Sequence, residues 1–213
     1  MCGIAGIFNY KSKHPADKAL LNSVLNKMHY RGPDDLGIFS ENEVAIGNVR
    51  LAIQGIDVKG NQPIYNEDGS IVVVFNGEIY NYPEIKKELI KKGHIFYSNT
   101  DTEILVHLYE EYGIKVADEL NGMFAFALFD KKKKRLLLSR DRTAQKPLYI
   151  NENEKGIFFS SELHTMIPYL EGCHTNRNAV RTFLSMGYAL EPETILNEVT
   201  TIEPASTCVY NEH

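Results

Sequence analysis

The chain of 213 residues is poor in cysteine, in basic charge and in long apolar runs, and each shortage excludes a class of protein. Its three cysteines, Cys2, Cys173 and Cys208, are too few and too widely spaced for a disulfide framework, and no CxxC pair indicates a zinc site. The formal net charge of -5 argues against a nucleic-acid-binding surface. No apolar run approaches the roughly 20 residues that span a bilayer.

Signals for export and glycosylation are also lacking. The N-terminus has no basic region followed by an apolar stretch, and the Asn-x-Ser/Thr acceptor does not occur. We therefore expect a cytoplasmic protein with no nucleic-acid or membrane partner, in which Cys173 and Cys208 are buried structural thiols. The composition, 43% hydrophobic and 24% charged, is that of an ordinary globular protein.

Hydrophobic periodicity predicts two groups of strands with intervening helices, which favours an α+β fold. Pro83 and Gly93 delimit one helix, and Thr100 with Glu103 is expected to form a capping box at the start of another. The tetralysine run at 131–134 is expected to be a solvated hairpin turn. Strands are predicted at 2–8, 43–53, 70–80, 122–130, 135–141, 147–150, 156–161 and 206–210, and helices at 16–29, 82–93 and 100–113.

The thiol of Cys2, directly behind the first methionine, has three interpretations from its position alone: a buried thiol, a disulfide half or a catalytic nucleophile. Removal of Met1 leaves Cys2 with a free α-amine whose pKa is about 8. That amine can act as the base for the thiol of the same residue, so no separate histidine is needed. A cysteine at the second position is most often incidental, so the other residues must decide.

Candidate partners for such a nucleophile follow in two places. Asn76 and Gly77 come directly after the apolar run "IVVVF" and offer an amide side chain and an accessible backbone N–H, the donors that an oxyanion hole needs. The plain alternative is a strand-end turn, because Asn-Gly is a common turn dipeptide.

Arg50, Glu78 and Asp101 suit an amino-acid ligand, since arginine pairs with a carboxylate and acids pair with an ammonium. The plain alternatives are a surface ion pair for Arg50 and a helix-dipole contact for Asp101.

Seven segments, in this order, resemble class II glutamine amidotransferases over nearly the whole chain. The resemblance implies an N-terminal-nucleophile hydrolase with a four-layer αββα sandwich, in which two mainly antiparallel sheets are flanked by helices. Two of the segments, "RGPDD" and "NGEIYNYPEIKKEL", resemble the asparagine synthetase branch. The seven are "MCGIAGIF", "YRGPDD", "RLAIQGIDVKGNQPI", "FNGEIYNY", "NTDTEILVHLYEEYG", "LNGMFAFALFD" and "SRDRTAQKPLYI".

The resemblance also implies a role for each matching residue. Cys2 would attack the side-chain amide of glutamine and form a glutamyl thioester, with its own α-amine as the base. Asn76 and Gly77 would hold the oxyanion. Arg50 would bind the substrate α-carboxylate, while Glu78 and Asp101 would bind its α-ammonium.

Four positions depart from the family pattern without removing any of these residues. Tyr30 and Asn61 stand where the family usually has histidine, and Gln54 replaces an aliphatic residue close to Arg50. Thr143-Ala144 replaces an aromatic or aliphatic residue followed by glycine. We expect Gln54 to reshape one wall of the glutamine pocket and the lost glycine to alter a loop.

The family's ATP-using half is missing from this sequence, which contains no Ser-Gly-Gly-x-Asp-Ser loop. We expect a glutaminase domain at 1–190 and a segment at 191–213 that leads towards an absent synthetase domain. The chain itself would need no cofactor or metal, since ATP and Mg belong to the synthetase, which receives the ammonia. Three alternatives stay open: a non-catalytic docking or regulatory module, an acceptor other than aspartate, and a homodimer.

Overall fold

A computed structural model describes residues 1–55 and 57–211 of the chain. Ile56, within one of the quoted motifs, and residues 212 and 213 of the expected C-terminal segment lie outside the described residues. The elements of the described part, in chain order, are β1 (Gly3–Phe8), α1 (Lys18–Lys27), β2 (Asp35–Glu41), β3 (Val44–Arg50), β4 (Ile64–Tyr65), β5 (Ile71–Ile79), α2 (Tyr82–Lys92), α3 (Ile104–Tyr112), β6 (Gly122–Asp130), β7 (Arg135–Arg140), β8 (Tyr149–Glu152), β9 (Ile157–Ser160), α4 (Arg177–Met186), β10 (Thr200–Thr201) and β11 (Thr207–Asn211).

The strands form two sheets in which neighbours run antiparallel. The larger sheet has the order β10-β8-β9-β1-β3-β2, and the smaller has the order β11-β7-β6-β5-β4. In the larger sheet β1 lies between β9 and β3, and in the smaller sheet β5 lies between β6 and β4. Gly3 lies opposite Val49 in the first sheet, and Gly77 lies opposite Phe124 in the second.

Three apolar clusters separate four layers. One lies between the sheets and includes Phe8 and Phe129; a second lies between the six-stranded sheet and α1; a third lies between the five-stranded sheet and the pair α2 and α3. The order helix, sheet, sheet, helix confirms the predicted αββα sandwich. No helix in the described ranges is long and apolar enough to cross a membrane.

The helices form where their side-chain pattern and end residues favour them. In α1, Asp17 accepts a hydrogen bond from the Leu20 N–H at 2.8 Å, and Leu21, Val24 and Leu25 form the buried face. Pro83 lies in the first turn of α2, and Gly93 ends that helix with φ of 103°. Both ends of α2 agree with the prediction.

The predicted capping box at α3 is wrong. The helix begins at Ile104, and the Glu103 carboxylate accepts hydrogen bonds from the Tyr97 and Ser98 N–H groups, both at 2.7 Å. Glu103 therefore stabilises the loop that precedes the helix, because those buried backbone donors have no strand or helix partner. The Thr100 N–H instead faces the Ser98 hydroxyl.

The prediction of buried thiols also needs correction. Cys173 is exposed and Cys208 is half-buried, and both are free. Burial raises the pKa of the Cys208 thiol. The tetralysine turn is confirmed, since it joins β6 to β7, and the Lys133 N–H donates to Asp130 at 2.9 Å.

Candidate functional site

One cavity lies where the start of β1 meets the ends of β3 and β5. The two sheets supply different walls, since β1 and β3 belong to the larger sheet and β5 to the smaller. The loop that precedes α3 closes a further side. All six residues predicted to act on a substrate line this cavity: Cys2, Arg50, Asn76, Gly77, Glu78 and Asp101.

Cys2 is held beside the last residues of β3. Its Sγ is 3.4 Å from the Leu51 nitrogen, which donates to it, and 3.7 Å from the Leu51 oxygen. Its carbonyl oxygen accepts a hydrogen bond from Arg31 Nε at 2.9 Å, and Arg31 in turn pairs with Glu162. The thiol is free and half-buried, so the disulfide interpretation is excluded, and the thiol faces a cavity rather than the core.

The Asn-Gly pair lies within β5 and not in a turn. Pairing with β6 continues through Asn76, Gly77 and Glu78 to Ile79, within the strand predicted at 70–80. A Cβ at Gly77 would lie 2.1 Å from the Met123 oxygen, which explains the glycine by close packing alone. The turn interpretation is thereby excluded, while the donors still line the cavity.

Alternation along β5 directs one backbone donor into the site. The Phe75 N–H donates to Gln62 Oε1 at 2.6 Å and the Ile79 N–H to Asp101 Oδ2 at 2.9 Å, both away from β6. Residues two apart in a strand face the same edge, so the Gly77 N–H lies between these two on that edge. It faces the cavity that Gly77 lines.

Asn76 supplies a second donor. The residue is 1% exposed, and its Nδ2 is buried without a hydrogen-bond partner among the described residues. A buried, unpaired amide donor is costly and uncommon in proteins. Its position on the cavity wall indicates that a ligand atom is the intended partner.

Two carboxylates also line the site, Glu78 directly after Gly77 in β5 and Asp101 beside the Ile79 N–H. Asp101 is 5% exposed, and burial raises its pKa to about 6, with the neighbouring charge of Glu78 acting in the same direction. The hydrogen bond from the Ile79 N–H acts against this shift. Two acids this close favour a bound cation, because a positive charge would relieve their repulsion.

Arg50 is buried beneath the loop that follows β3. It is 4% exposed, and its guanidinium donates to the oxygens of Gln54, Gly55 and Asp57 and to Asn61 Oδ1. Among the described residues, no carboxylate lies within ion-pair distance of it, which excludes the surface ion pair. Arg50 thus orders this loop and brings a positive charge to the cavity.

The departures from the family pattern fall at three distinct places. Asn61 and Gln54 both accept hydrogen bonds from Arg50, at 2.5 Å and 3.1 Å, and Gln54 lines the cavity as expected. Tyr30 is 66% exposed. Ala144 has a left-handed backbone with φ of 55°, and its oxygen accepts a hydrogen bond from Arg140 at 3.0 Å.

Gln62 and Lys146 are among the cavity residues that no sequence pattern indicated. Gln62 anchors the Phe75 N–H, and no local pattern marks it. Lys146 is only 6% exposed, and its Nζ lies 3.2 Å from the sulfur of Met1, which also lines the cavity. Lys146 and Met1 are 145 residues apart in sequence, so only the folded chain reveals their contact.

Comparison with known proteins places the whole chain in one group. The family model described as "Glutamine amidotransferase domain" matches residues 1–213. Asparagine synthetase [glutamine-hydrolyzing] 1 of Bacillus subtilis is 38% identical over 212 residues, which cover 97% of this chain and 33% of that protein. A putative asparagine synthetase of Methanocaldococcus jannaschii is 34% identical, covering 99% of this chain and 44% of that protein.

The fold has relatives among solved structures. The glutamine phosphoribosylpyrophosphate amidotransferase of Bacillus subtilis superposes with a TM-score of 0.70 at 20% identity, covering 99% of this chain and 47% of that one. A regulatory enzyme of purine biosynthesis gives a TM-score of 0.72 at 19% identity. These two likenesses establish the fold. The chain spans less than half the length of each of these relatives.

Proposed function

The chain belongs to the glutamine amidotransferase domain family, and on that premise we propose that it hydrolyses glutamine to glutamate and ammonia with Cys2 as the nucleophile. The observation that carries the proposal is the pair of donors beside the thiol. Asn76 Nδ2 has no partner among the described residues, and the Gly77 N–H faces the same cavity. These are the groups that stabilise negative charge on an attacked carbonyl oxygen.

The reaction proceeds in two halves. Once Met1 is removed, the α-amine of Cys2 accepts the thiol proton as the sulfur attacks the amide carbon of glutamine. The carbonyl oxygen becomes negative and is held by Asn76 and Gly77. The same amine then returns the proton to the departing ammonia, which leaves a glutamyl thioester. Water attacks the thioester and releases glutamate and the free thiol.

Binding of the amino-acid end uses the charges on the other walls. Arg50 attracts the α-carboxylate, and Asp101 and Glu78 attract the α-ammonium. Arg50 already holds the loop at 54–61, so the substrate carboxylate approaches an arginine that is fixed in place. Gln54, on the same loop, forms part of the pocket wall.

Replacement of the thiol tests the proposal. Cys2→Ala is expected to abolish release of ammonia from glutamine, while Cys173→Ala, at an exposed thiol outside the cavity, retains wild-type activity. Both variants replace a cysteine by alanine, and they differ only in whether the lost thiol lies in the cavity. Full hydrolysis by Cys2→Ala would overturn the assignment of the nucleophile.

The ammonia is proposed to pass to an ATP-dependent amidation by a synthetase domain or subunit. The curated relatives are glutamine-hydrolysing asparagine synthetases, and this chain spans 33% and 44% of two of them. Exposed apolar side chains follow one another closely in sequence on and after α4, and exposed apolar side chains of this kind suit such a partner. They are Phe183, Leu184, Met186, Tyr188 and Leu190.

Two broader expectations accompany this proposal. The free thiols fit a reducing cytoplasm.

The domain boundary near residue 190 and a homodimer stay predictions. In the described part, residues beyond 190 contribute β10 and β11 to the edges of the two sheets. A truncation after residue 190 therefore removes one edge strand from each sheet.

A further inference from the structure

Four potential metal ligands converge on the outer side of the five-stranded sheet. Glu67 lies in the connection between β4 and β5, His94 follows α2, and His107 and Glu110 lie one turn apart on α3. One ligand atom from each lies within 4.8 Å of all the others. None of the four lines the catalytic cavity, so the function proposed above does not use them.

Several distances within this group match those between the ligands of one metal ion. His94 Nδ1 is 3.3 Å from Glu67 and 3.6 Å from Glu110, and His107 Nδ1 is 3.3 Å from each of the same two carboxylates. A charge-assisted hydrogen bond is shorter, about 2.7–2.9 Å. Ligand atoms around a tetrahedral Zn²⁺, each about 2.0–2.2 Å from the metal, are separated by roughly 3.3–3.5 Å.

The other nitrogen of each imidazole also has the surroundings of a metal ligand. His94 Nε2 lies 3.3 Å from Glu111, and His107 Nε2 lies 3.9 Å from Glu103. A metal-binding histidine commonly directs its second ring nitrogen to a carboxylate, which fixes the ring. His107 is fully buried, and its Nε2 has no hydrogen bond among the described residues.

Supporting contacts hold the carboxylates as well. Glu110 accepts a hydrogen bond from Asn66 Nδ2 at 2.9 Å, and Glu67 accepts one from the Ile95 N–H at 3.0 Å. Four carboxylates, those of Glu67, Glu103, Glu110 and Glu111, lie around the two imidazoles. This arrangement of negative charge favours a divalent cation.

We propose that Glu67, His94, His107 and Glu110 bind one Zn²⁺ ion, which ties the β4–β5 connection and the α2–α3 connection to α3. Imidazole nitrogen with carboxylate oxygen is a donor set that zinc accepts. Glu67 precedes His94 by 27 residues, so the ligands do not form one short spacing motif. Its role is structural, and its test needs no enzyme activity.

Titration of the metal-free 213-residue chain with ZnCl₂ against a chromophoric chelator tests the site. We expect one Zn²⁺ per chain and a higher melting temperature with zinc. Glu111→Gln, which removes the supporting carboxylate beside His94 Nε2 together with its ion pair to Lys92, should weaken binding about 10–100-fold. His94→Gln, at a part-exposed ligand that avoids the buried His107, should weaken it more. His174→Gln, at an exposed histidine paired with Glu198, should bind as wild type does.

The visible absorption spectrum of the chain with bound Co²⁺ reports the coordination geometry of the site. Co²⁺ in this site should give the intense visible bands of tetrahedral nitrogen and oxygen coordination, and these bands should vanish in His94→Gln. A sulfur-to-cobalt charge-transfer band would show binding by a thiol and overturn the assignment. Absence of stoichiometric zinc binding at micromolar concentration, or wild-type affinity in His94→Gln, would also overturn it.

Discussion

Replacement of Asn76 by alanine tests whether its side-chain amide serves catalysis or only stability. If Asn76 Nδ2 stabilises the oxyanion, its loss should lower kcat for glutamine hydrolysis by about 10²–10³, equivalent to roughly 2.7–4 kcal/mol of transition-state stabilisation. KM should change little, because the interaction strengthens only as charge develops on the oxygen. The fall in kcat should therefore appear almost unchanged in kcat/KM.

The same variant should cost little stability. Asn76 Nδ2 is buried without a partner among the described residues, and such an orphan donor destabilises the folded protein by about 1–3 kcal/mol. Removal of this unpaired donor therefore offsets the stability that is lost with the packing of the side chain. Asn48, also 1% exposed, offers the matched control, since its Nδ2 donates to the Phe75 oxygen at 3.1 Å. Asn48→Ala leaves that carbonyl unpaired but also removes Asn48 Oδ1, which is itself buried without a partner among the described residues, so it should destabilise the fold by only ~1 kcal/mol.

The two variants are thus expected to show opposite patterns. Urea unfolding measures the free energy of unfolding, and a coupled assay for glutamate measures kcat. Asn76→Ala should be nearly as stable as wild type but poorly active, and Asn48→Ala should be less stable but close to wild type in kcat. Wild-type kcat in Asn76→Ala, or a loss of activity that merely follows a loss of folded protein, would refute the assignment.

Three further predictions concern charge and backbone. Burial raises the pKa of Asp101 from 3.8 to about 6, so its ionisation opposes folding and stability should fall as pH rises through that interval. The ammonium needs the ionised form of Asp101, and the attack needs the neutral Cys2 amine, whose pKa is about 8. As pH falls, kcat/KM should therefore fall first with the amine and then more steeply below an apparent pKa near 6, and Asp101→Asn should remove that second, steeper fall. Arg50→Lys should raise KM about tenfold to a hundredfold, because a lysine cannot hold the four loop oxygens that the guanidinium binds, and the pocket wall would lose its support; an unchanged KM would contradict the role. Ala144→Gly should stabilise the chain by up to ~1 kcal/mol in urea unfolding, since φ of 55° is strained for alanine, while Ala179→Gly within α4 should cost about 1 kcal/mol. Equal effects at the two alanines would contradict that explanation.

Elements with strong periodicity were predictable from the sequence, and those with interrupted patterns were not. The strand β1 and the helix α2 lie where their patterns place them. The strand β2 was missed, because Pro33 and the glycines around it suggested only a helix end. The helix α4 was missed as well, since it buries only Ala179 among its ten residues and its pattern reflects no core face.

Local rules failed where tertiary contacts outweighed them. Asn76-Gly77 has the composition of a turn, yet nine consecutive pairs with β6 keep it in a strand. Thr100 and Glu103 have the spacing of a capping box, yet Glu103 satisfies the unpaired N–H groups of Tyr97 and Ser98. Both errors arise at the edges of the cavity, where backbone groups are directed to unusual partners.

The candidate site was predictable in its members but not in its supports. Charge type and donor chemistry, with the family resemblance, identified the six residues that line the cavity. Nothing local shows that Gln62 fixes the Phe75 N–H, that Arg31 holds the Cys2 carbonyl, or that Lys146 meets Met1. Such contacts depend on residues brought together by the two sheets.

Mass spectrometry of the chain quenched during turnover with glutamine tests the central claim most directly. The account predicts a species that lacks Met1 and carries one glutamyl group on Cys2, and it predicts that Cys2→Ala shows no such species. Met1 lines the cavity beside Cys2, so a chain that retains it should be inactive. Turnover by a chain that keeps Met1, or a glutamyl group on any other residue, would contradict the account.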